Sequence, residues 1–224
     1  MGQRTPASVR FYGLQPHWDI WASEVKSQGL RGIDFVLHLQ GQVYPIHTAL
    51  LGAHSVYTAL AAASAAFEAG LPFQEIVAGL EQAQPNLRLV PSPGINGSTI
   101  IDDSYNASPA SNIAALDLLG QMEGRKIAVL GDMLELGSYE VVGHQQVGRR
   151  VAKVVDILIT VGERSKVIAA TAKSVGSQQV LTCESNQEAI DLMRTLLRPG
   201  DYVLIKGSRG MTMEQIVEQV REEL

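Results

Sequence analysis

The larger, second part of this 224-residue chain is predicted to fold as an α/β domain built on a mainly parallel sheet. Short runs that are apolar throughout alternate there with amphipathic helical segments, a pattern typical of parallel strands covered by helices on both faces. With 46% hydrophobic and 18% charged residues, the composition is that of a globular protein. Polar side chains follow three of the predicted strands, and ligands of parallel sheets bind at these ends.

The first part of the chain has a different character, and the change falls near Gln84. Short strands are predicted at residues 8–14, 32–39 and 43–48, and helices at 53–69 and 72–82. Residues 19–26 fit either a short helix or a strand-edge segment. These few elements look like the end of a domain rather than a complete one. The Gln84-Pro85-Asn86 connector is therefore expected to be a domain junction.

After this junction, strands and helices alternate strictly. Strands are predicted at residues 98–103, 126–130, 156–161, 179–182 and 202–205. Helices are predicted at residues 109–122, 140–154, 165–175, 186–197 and 211–223. Residues 87–91 are a possible extra strand. This gives five βα units and one uncertain strand.

Charge and composition exclude several classes of function. The net charge of -5 provides no broad cationic surface for a nucleic-acid backbone, so no nucleic-acid partner is expected. The single Cys183 excludes an internal disulfide and fits a reducing compartment. No apolar run reaches membrane-spanning length and no signal-peptide core is present, so a cytoplasmic location without a membrane partner is expected. The histidines lack ligand spacing, and no metal site is predicted.

The first polar strand end reads Ile100 to Pro109, IIDDSYNASP. A carboxylate at a strand end can accept both hydroxyls of a ribose. Asn106 and Ser108 can supply donors or cap the helix that follows. Simple helix capping remains open as the alternative.

The second polar strand end reads Val129 to Gly137, VLGDMLELG, with His144 downstream. Its glycines allow a ligand to approach the backbone closely. Asp132 and Glu135 could hold a metal or orient a cationic group. A solvated loop with two charges is the alternative.

The third polar strand end contains Lys206, Ser208 and Arg209 before a helix. Two cations and a hydroxyl next to a helix N-terminus suit a carboxylate or a phosphate. A basic turn whose Thr212 begins the helix is the alternative.

Taken together, these strings resemble the Mur ligase family. The resemblance rests on DDSYNASP (102–109), VLGDMLELG (129–137) with His144, and KGSR (206–209) leading to Met213-Glu214. The segment 52–62 is similar to the family's G-x-H-N-x-x-N-x-x-A-A helix, with Ser55 and Thr58 in place of both asparagines.

The resemblance implies a division of the chain into two domains. Residues 1–84 would be the incomplete end of a central ATPase domain, and 85–224 a C-terminal Rossmann-like domain. The family's P-loop is missing, because no Gly-Lys-Ser/Thr sequence occurs in the chain. The residues that hold magnesium in the family are likewise expected upstream of this chain.

The resemblance also implies roles for individual residues. Lys206 and Arg209 would be catalytic, near the incoming amine or the reacting carboxylate. The nucleotide would be bound by Asp103 at the ribose, Asn106 nearby, Arg88 at the phosphates, and Ser55 and Thr58 near the adenine. Asp132, Glu135 and Ser208 would bind substrate.

The implied reaction is ATP- and Mg²⁺-dependent amide formation through an acyl phosphate. Its substrates would be UDP-N-acetylmuramoyl-tripeptide and D-alanyl-D-alanine, and the parent enzyme is expected to be a monomer. The chain alone would be inactive. A non-catalytic nucleotide- or ligand-binding module remains the alternative. Cyanophycin synthetases and folylpolyglutamate synthases share the architecture, but the DDSYNASP and GDMLELG pair argues against them.

Overall fold

The computed structural model describes residues 9–83 and 89–222. The chain divides into two compact units, Met1–Pro85 and Asn86–Leu224. This division falls within the Gln84-Pro85-Asn86 connector, whose three residues all lie outside the described ranges. Each unit has its own sheet and its own core, so each is described by itself.

The first unit contains a four-stranded sheet in the order β1-β2-β3-β4. The strands are β1 Tyr12–Gly13, β2 Ile20–Ser27, β3 Ile33–Leu39 and β4 Gln42–Thr48. β1 pairs in parallel with β2, whereas the other neighbours are antiparallel. The segment left open between helix and strand edge is therefore a strand, and its Ile20 and Ala22 alternate into the core.

Two helices follow in this unit, α1 Val56–Glu68 and α2 Phe73–Glu81. The core of the unit joins Phe35 and Leu37 of β3 to Leu60 of α1 and Leu80 of α2. The first predicted helix began three residues too early, because Ala53–Ser55 forms a 3-10 turn before α1. Gly70 lies in the connection between α1 and α2 and has a φ of 83°, a left-handed conformation that favours glycine.

The second unit begins with two strands and then alternates helices and strands. Its elements are β5 Val90–Gly94, β6 Ser98–Asp103, α3 Pro109–Leu119, β7 Lys126–Gly131, α4 Glu140–Val154, β8 Ile157–Val161, α5 Lys166–Val175, β9 Gln179–Cys183, α6 Asn186–Leu196, β10 Tyr202–Lys206 and α7 Glu214–Val220. All five predicted strands and all five predicted helices are present.

The six strands of this unit form one sheet in the order β5-β6-β10-β7-β8-β9. Every neighbouring pair is parallel except β5 and β6, which are antiparallel. The predicted α/β class with a mainly parallel sheet is thereby confirmed. The uncertain strand, predicted at residues 87–91, exists three residues further along as β5, and its two prolines are tolerated because an edge strand leaves one row of N–H groups unpaired.

Helices cover both faces of the sheet. On one face α6 and α7 bury Ile127, Val129 and Ile205. The alternate residues Leu130 and Leu204 are equally buried on the opposite face, where α3, α4 and α5 pack against one another. A fully buried aliphatic side chain contributes about 1.5–3 kcal/mol, so these two layers are the main source of the unit's stability.

The last helix differs most from its prediction. Residues 211–223 were predicted to be helical, but α7 spans only Glu214–Val220. Residues Arg209–Met211 form a 3-10 turn, and Thr212 is left-handed with a φ of 48°, so an α-helix cannot begin before it. At the other end, Arg221 forms an antiparallel bridge with Gly94 of β5, which draws the chain out of the helix.

Candidate functional site

The three polar strand ends lie side by side because β10 is inserted between β6 and β7. We call the loops at 104–108, 132–136 and 207–212 the strand-end cluster. The helix after β10 covers one face of the sheet, while those after β6 and β7 cover the other. This reversal is a topological switch point, where doubly wound sheets open a crevice for ligands.

A buried ion pair crosses the cluster from β10 to β6. Lys206 Nζ lies 2.5 Å from Asp103 Oδ2 and donates a second hydrogen bond of 2.8 Å to the backbone oxygen of Asn106. The two side chains are only 2% and 9% exposed. Sequence reasoning placed the two residues in separate roles and missed their pairing. A charged residue at the end of each of two apolar strands was the available signal.

Ser208 connects the loops after all three strands. Its backbone N–H donates to the oxygen of Asp132 at 3.1 Å. Its Oγ accepts from the Leu134 N–H at 2.8 Å and makes a longer contact of 3.4 Å with the oxygen of Ala107. Ser208 is 4% exposed, so its hydroxyl is directed towards neighbouring loops.

Asp132 is directed towards the next strand of the sheet. Its Oδ1 accepts a 2.7 Å hydrogen bond from the N–H of Ser165, the residue before α5. The carboxylate also lies over Gly162, where an added Cβ would come within 2.7 Å of Oδ1. Asp132 is 7% exposed and thus stabilises the start of α5, as a carboxylate at a helix N-terminus does.

His144 is fully buried and orders the loop after β7. The Met133 N–H donates to its Nε2 at 3.2 Å, so Nε2 is the unprotonated nitrogen and Nδ1–H donates to the Glu140 oxygen at 2.7 Å. This tautomer is assigned from the hydrogen-bond partners. His144 therefore acts as a neutral link between the loop and the first turn of α4.

Arg209 presents the exposed positive charge of the cluster, with 63% of its side chain accessible. Its guanidinium lies 5.6 Å from the centre of the Tyr105 ring and donates to Glu214 Oε1 at 2.8 Å. Tyr105 is itself 55% exposed. A guanidinium held between a ring and a carboxylate is oriented before any anion arrives. Sequence reasoning gave neither of these neighbours a role.

The remaining two candidates of the cluster are exposed at its rim. Asn106 Oδ1 accepts from the N–H of Ala107 at 2.8 Å, so the side chain shapes its own loop. Glu135 is left-handed with a φ of 62°, an unfavourable conformation for a side chain with a Cβ. Such local strain is often stored at functional sites.

The other nucleotide-binding candidates lie outside this cluster. Ser55 and Thr58 belong to the first unit, where Ser55 Oγ donates to the Leu51 oxygen at 2.6 Å and Thr58 is exposed on α1. Arg88 lies outside the described residues. The structure thus brings together seven of the ten predicted site residues, in the second unit.

The described residues provide no candidate metal centre. Within residues 9–83 and 89–222, no group of three or more His, Cys, Asp or Glu side chains is placed to hold a metal ion. A surface cavity of about 560 Å³ lies at the opposite edge of the sheet, lined by Lys126, Arg150 and Lys153 among others. Arg150 pairs there with Asp117, and Lys153 lies in the last turn of α4, where a cation stabilises the helix dipole, so both charges are accounted for without a ligand.

Comparison with known proteins identifies the family. The family model described as "Mur ligase, glutamate ligase domain" matches residues 87–209, more than half of the chain. The chain belongs to the Mur ligase family. The match to this Mur ligase domain covers the loops at 104–108 and 132–136 and the start of the loop at 207–212, as far as Arg209.

Curated Mur ligases resemble nearly the whole chain. The UDP-N-acetylmuramoyl-tripeptide–D-alanyl-D-alanine ligase of Bacillus subtilis is 33% identical over 219 residues, covering 96% of this chain and 47% of the relative. The ligase of the same name from Mycobacterium bovis is 30% identical over 242 residues, covering 97% of this chain and 48% of the relative. The chain therefore spans about half the length of the curated relatives that it matches.

A solved Mur ligase structure gives the same result. MurF of Acinetobacter baumannii superposes with a TM-score of 0.80 at 29% identity, covering 93% of this chain and 46% of that structure. Among the helices of the described residues, none is long and apolar enough to cross a membrane.

Proposed function

We propose that this chain forms the C-terminal half of an ATP-dependent ligase that joins D-alanyl-D-alanine to UDP-N-acetylmuramoyl-tripeptide. Residues 85–224 would be the C-terminal Rossmann-like domain, and 1–84 a portion of the central ATPase domain. The supporting comparisons are the relatives of this name, which match nearly the whole chain at 30–33% identity. The reaction would take place in the cytoplasm, where ATP is available, and the enzyme would act as a monomer.

The observation that carries the proposal is the strand-end cluster with its exposed, oriented Arg209. In an acyl-phosphate reaction the substrate carboxylate enters as an anion, and negative charge is then carried by the transferred phosphoryl group. A guanidinium binds both groups through two parallel N–H donors. Because Tyr105 and Glu214 already orient the side chain, little conformational entropy is lost when an anion binds.

The buried groups of the cluster would support this reaction indirectly. Lys206 already has Asp103 and the Asn106 oxygen as partners, so its charge shapes the loop after β6. Asp132 is likewise engaged with the N–H of Ser165. Our proposal therefore assigns anion binding to Arg209 and gives Lys206, with Asp132, the task of fixing loop geometry.

Several contacts remain proposals carried by the family resemblance. Asp103 and Asn106 would lie beside the nucleotide, Ser55 and Thr58 near its adenine, and Arg88 at its phosphates. Glu135 would face the dipeptide from the rim of the cluster. Magnesium would neutralise the charge of the phosphates, but among the described residues of this chain no group of three or more His, Cys, Asp or Glu side chains is placed to hold it.

Phosphate release is the decisive measurement. The polypeptide that carries this chain together with a P-loop half would be supplied with ATP, magnesium and UDP-N-acetylmuramoyl-tripeptide, with and without D-alanyl-D-alanine. We expect release that depends on the dipeptide.

Arg209→Met should lower kcat/KM by about 100-fold, the loss expected when a charged hydrogen bond of about 3 kcal/mol is removed. Lys166→Met, an exposed cation on α5, is the matched control and should leave the rate unchanged.

One observation favours a non-catalytic nucleotide-binding module as a second candidate. Ser55 and Thr58 occupy positions that are asparagines in the family motif, and Ser55 Oγ is engaged with the Leu51 oxygen. In that case the complete polypeptide would bind ATP but release no phosphate on addition of the dipeptide. Restoring both asparagines would not produce activity either, whereas in a ligase it would change the KM for ATP.

A further inference from the structure

Ser208 lies where the loops after three neighbouring strands meet. β10 lies between β6 and β7, so the loop that begins at Gly207 is flanked by the other two. Ser208 is 4% exposed, although the resemblance predicts that it binds substrate. A buried hydroxyl at this point can act on the loops themselves.

The hydrogen bonds of Ser208 have a fixed direction. The Leu134 N–H can only donate, so Oγ accepts this 2.8 Å bond from the loop after β7. The Ala107 oxygen can only accept, so the single hydroxyl proton is directed at the loop after β6, at 3.4 Å. The hydroxyl thus joins one loop through its lone pair and the other through its proton.

The backbone of Ser208 strengthens one side of this junction. Its N–H donates to the Asp132 oxygen at 3.1 Å, two residues before Leu134. The loop after β7 is therefore held at two points by one residue. The loop after β6 is held by the Ser208 hydroxyl and by Lys206, which bonds Asp103 and the Asn106 oxygen.

We infer that Ser208 is a positioning residue whose hydroxyl couples the loop at 104–108 to the loop at 132–136. This inference rests on the proposed function for its kinetic consequence, because the first loop would face the nucleotide and the second the dipeptide. When the hydroxyl is lost, the single arrangement in which both loops are in place is populated less often. The apparent affinity for both ligands then falls by the same fraction.

Hydrogen exchange on the 224-residue chain tests the coupling without any activity. Ser208→Ala should accelerate exchange about five- to tenfold in both loops, as expected for the loss of one hydrogen bond. Strands β7 and β10 should remain protected, which shows that the variant is folded. Ser174→Ala removes an exposed hydroxyl on α5 and is the matched control. Acceleration in only one loop, or in neither, would overturn the inference.

Kinetics of the complete ligase distinguish positioning from direct contact. Ser208→Ala should raise the KM for ATP and the KM for D-alanyl-D-alanine by the same factor, and Ser208→Thr, which keeps the hydroxyl, should restore both. A rise in only one KM would indicate direct contact with that substrate and overturn the proposal. A lower kcat with both KM values unchanged would indicate a loss of folded enzyme and also overturn it. If the unmodified polypeptide has no ligase activity, the proposed function fails while hydrogen exchange still tests the coupling.

Discussion

Breaking the Lys206–Asp103 pair should be among the most damaging single changes in the second unit. Lys206→Met keeps most of the side-chain volume but leaves the Asp103 carboxylate buried without its cation, and the Asn106 oxygen without a charged donor. Removing one partner of a buried pair costs about 3–5 kcal/mol, because an uncompensated charge remains. A domain of this size has only about 5–15 kcal/mol of total stability.

Urea unfolding followed by two signals gives a sharp test of this prediction. With an m-value of about 2 kcal/mol per molar, the loss lowers the urea midpoint by about 1.5–2.5 M. Far-UV circular dichroism follows all helices, whereas both tryptophans, Trp18 and Trp21, report on the first unit. The shift should therefore appear in the dichroism signal.

Two further variants separate charge burial from packing. Lys166→Met removes a cation that pairs with Glu163 and Glu184 at an exposed site, so it should leave the midpoint unchanged. The double variant Asp103→Asn with Lys206→Met removes both buried charges and should recover part of the loss. A Lys206→Met midpoint equal to that of the unmodified chain would refute the reasoning.

Three smaller predictions concern other regions. Ser185→Ala removes the side chain that accepts the Glu188 N–H at the start of α6, and should cost about 1 kcal/mol in a urea titration; no loss would contradict the capping role. Burial raises the pKa of the Cys183 thiol from 9.0 to about 11. At pH 8 its reaction with a disulfide reagent should therefore be at least ~100-fold slower than in the unfolded chain. A rate within tenfold of that of the unfolded chain would contradict this. The hydrogen bond from His47 lowers the pKa of Asp34. The pair therefore stabilises the first unit above about pH 4, and this contribution is lost as the pH falls through the lowered pKa of Asp34. His47→Gln should therefore flatten the acid side of a tryptophan-monitored melting profile, and an unchanged slope would contradict it.

The fold was predictable because its signals are local. Residues 127–131 and 157–161 are almost entirely apolar on both faces, a pattern that favours buried strands of a parallel sheet. The predicted bounds of helices were wrong where the backbone conformation departs from the periodic sequence pattern. Met211 fits a helical period, but left-handed Thr212 prevents the helix from starting before Glu214.

The candidate site was predictable in its location but not in its internal arrangement. Polar residues after buried strands indicate the ligand-binding edge of the sheet, and seven of them lie there. Strand order decides which of these residues meet, and no local pattern reports it. Because β10 lies between β6 and β7, Lys206 faces Asp103 and Ser208 meets Leu134, which sequence spacing could not reveal.

The insertion of β10 into the middle of the sheet also constrains how the site is made. Lys206 and Asp103 lie 103 positions apart, and the Arg125–Asp201 pair, which precedes β7 and β10, joins residues 76 positions apart. Until β10 has paired between them, β6 and β7 each present an exposed strand edge that can pair with other chains. Contacts of such long sequence separation form slowly, since loop closure must precede them. During synthesis on the ribosome, the strand-end cluster is therefore completed only after residues 202–209 have emerged, and a nascent chain without them has neither a continuous sheet nor a site.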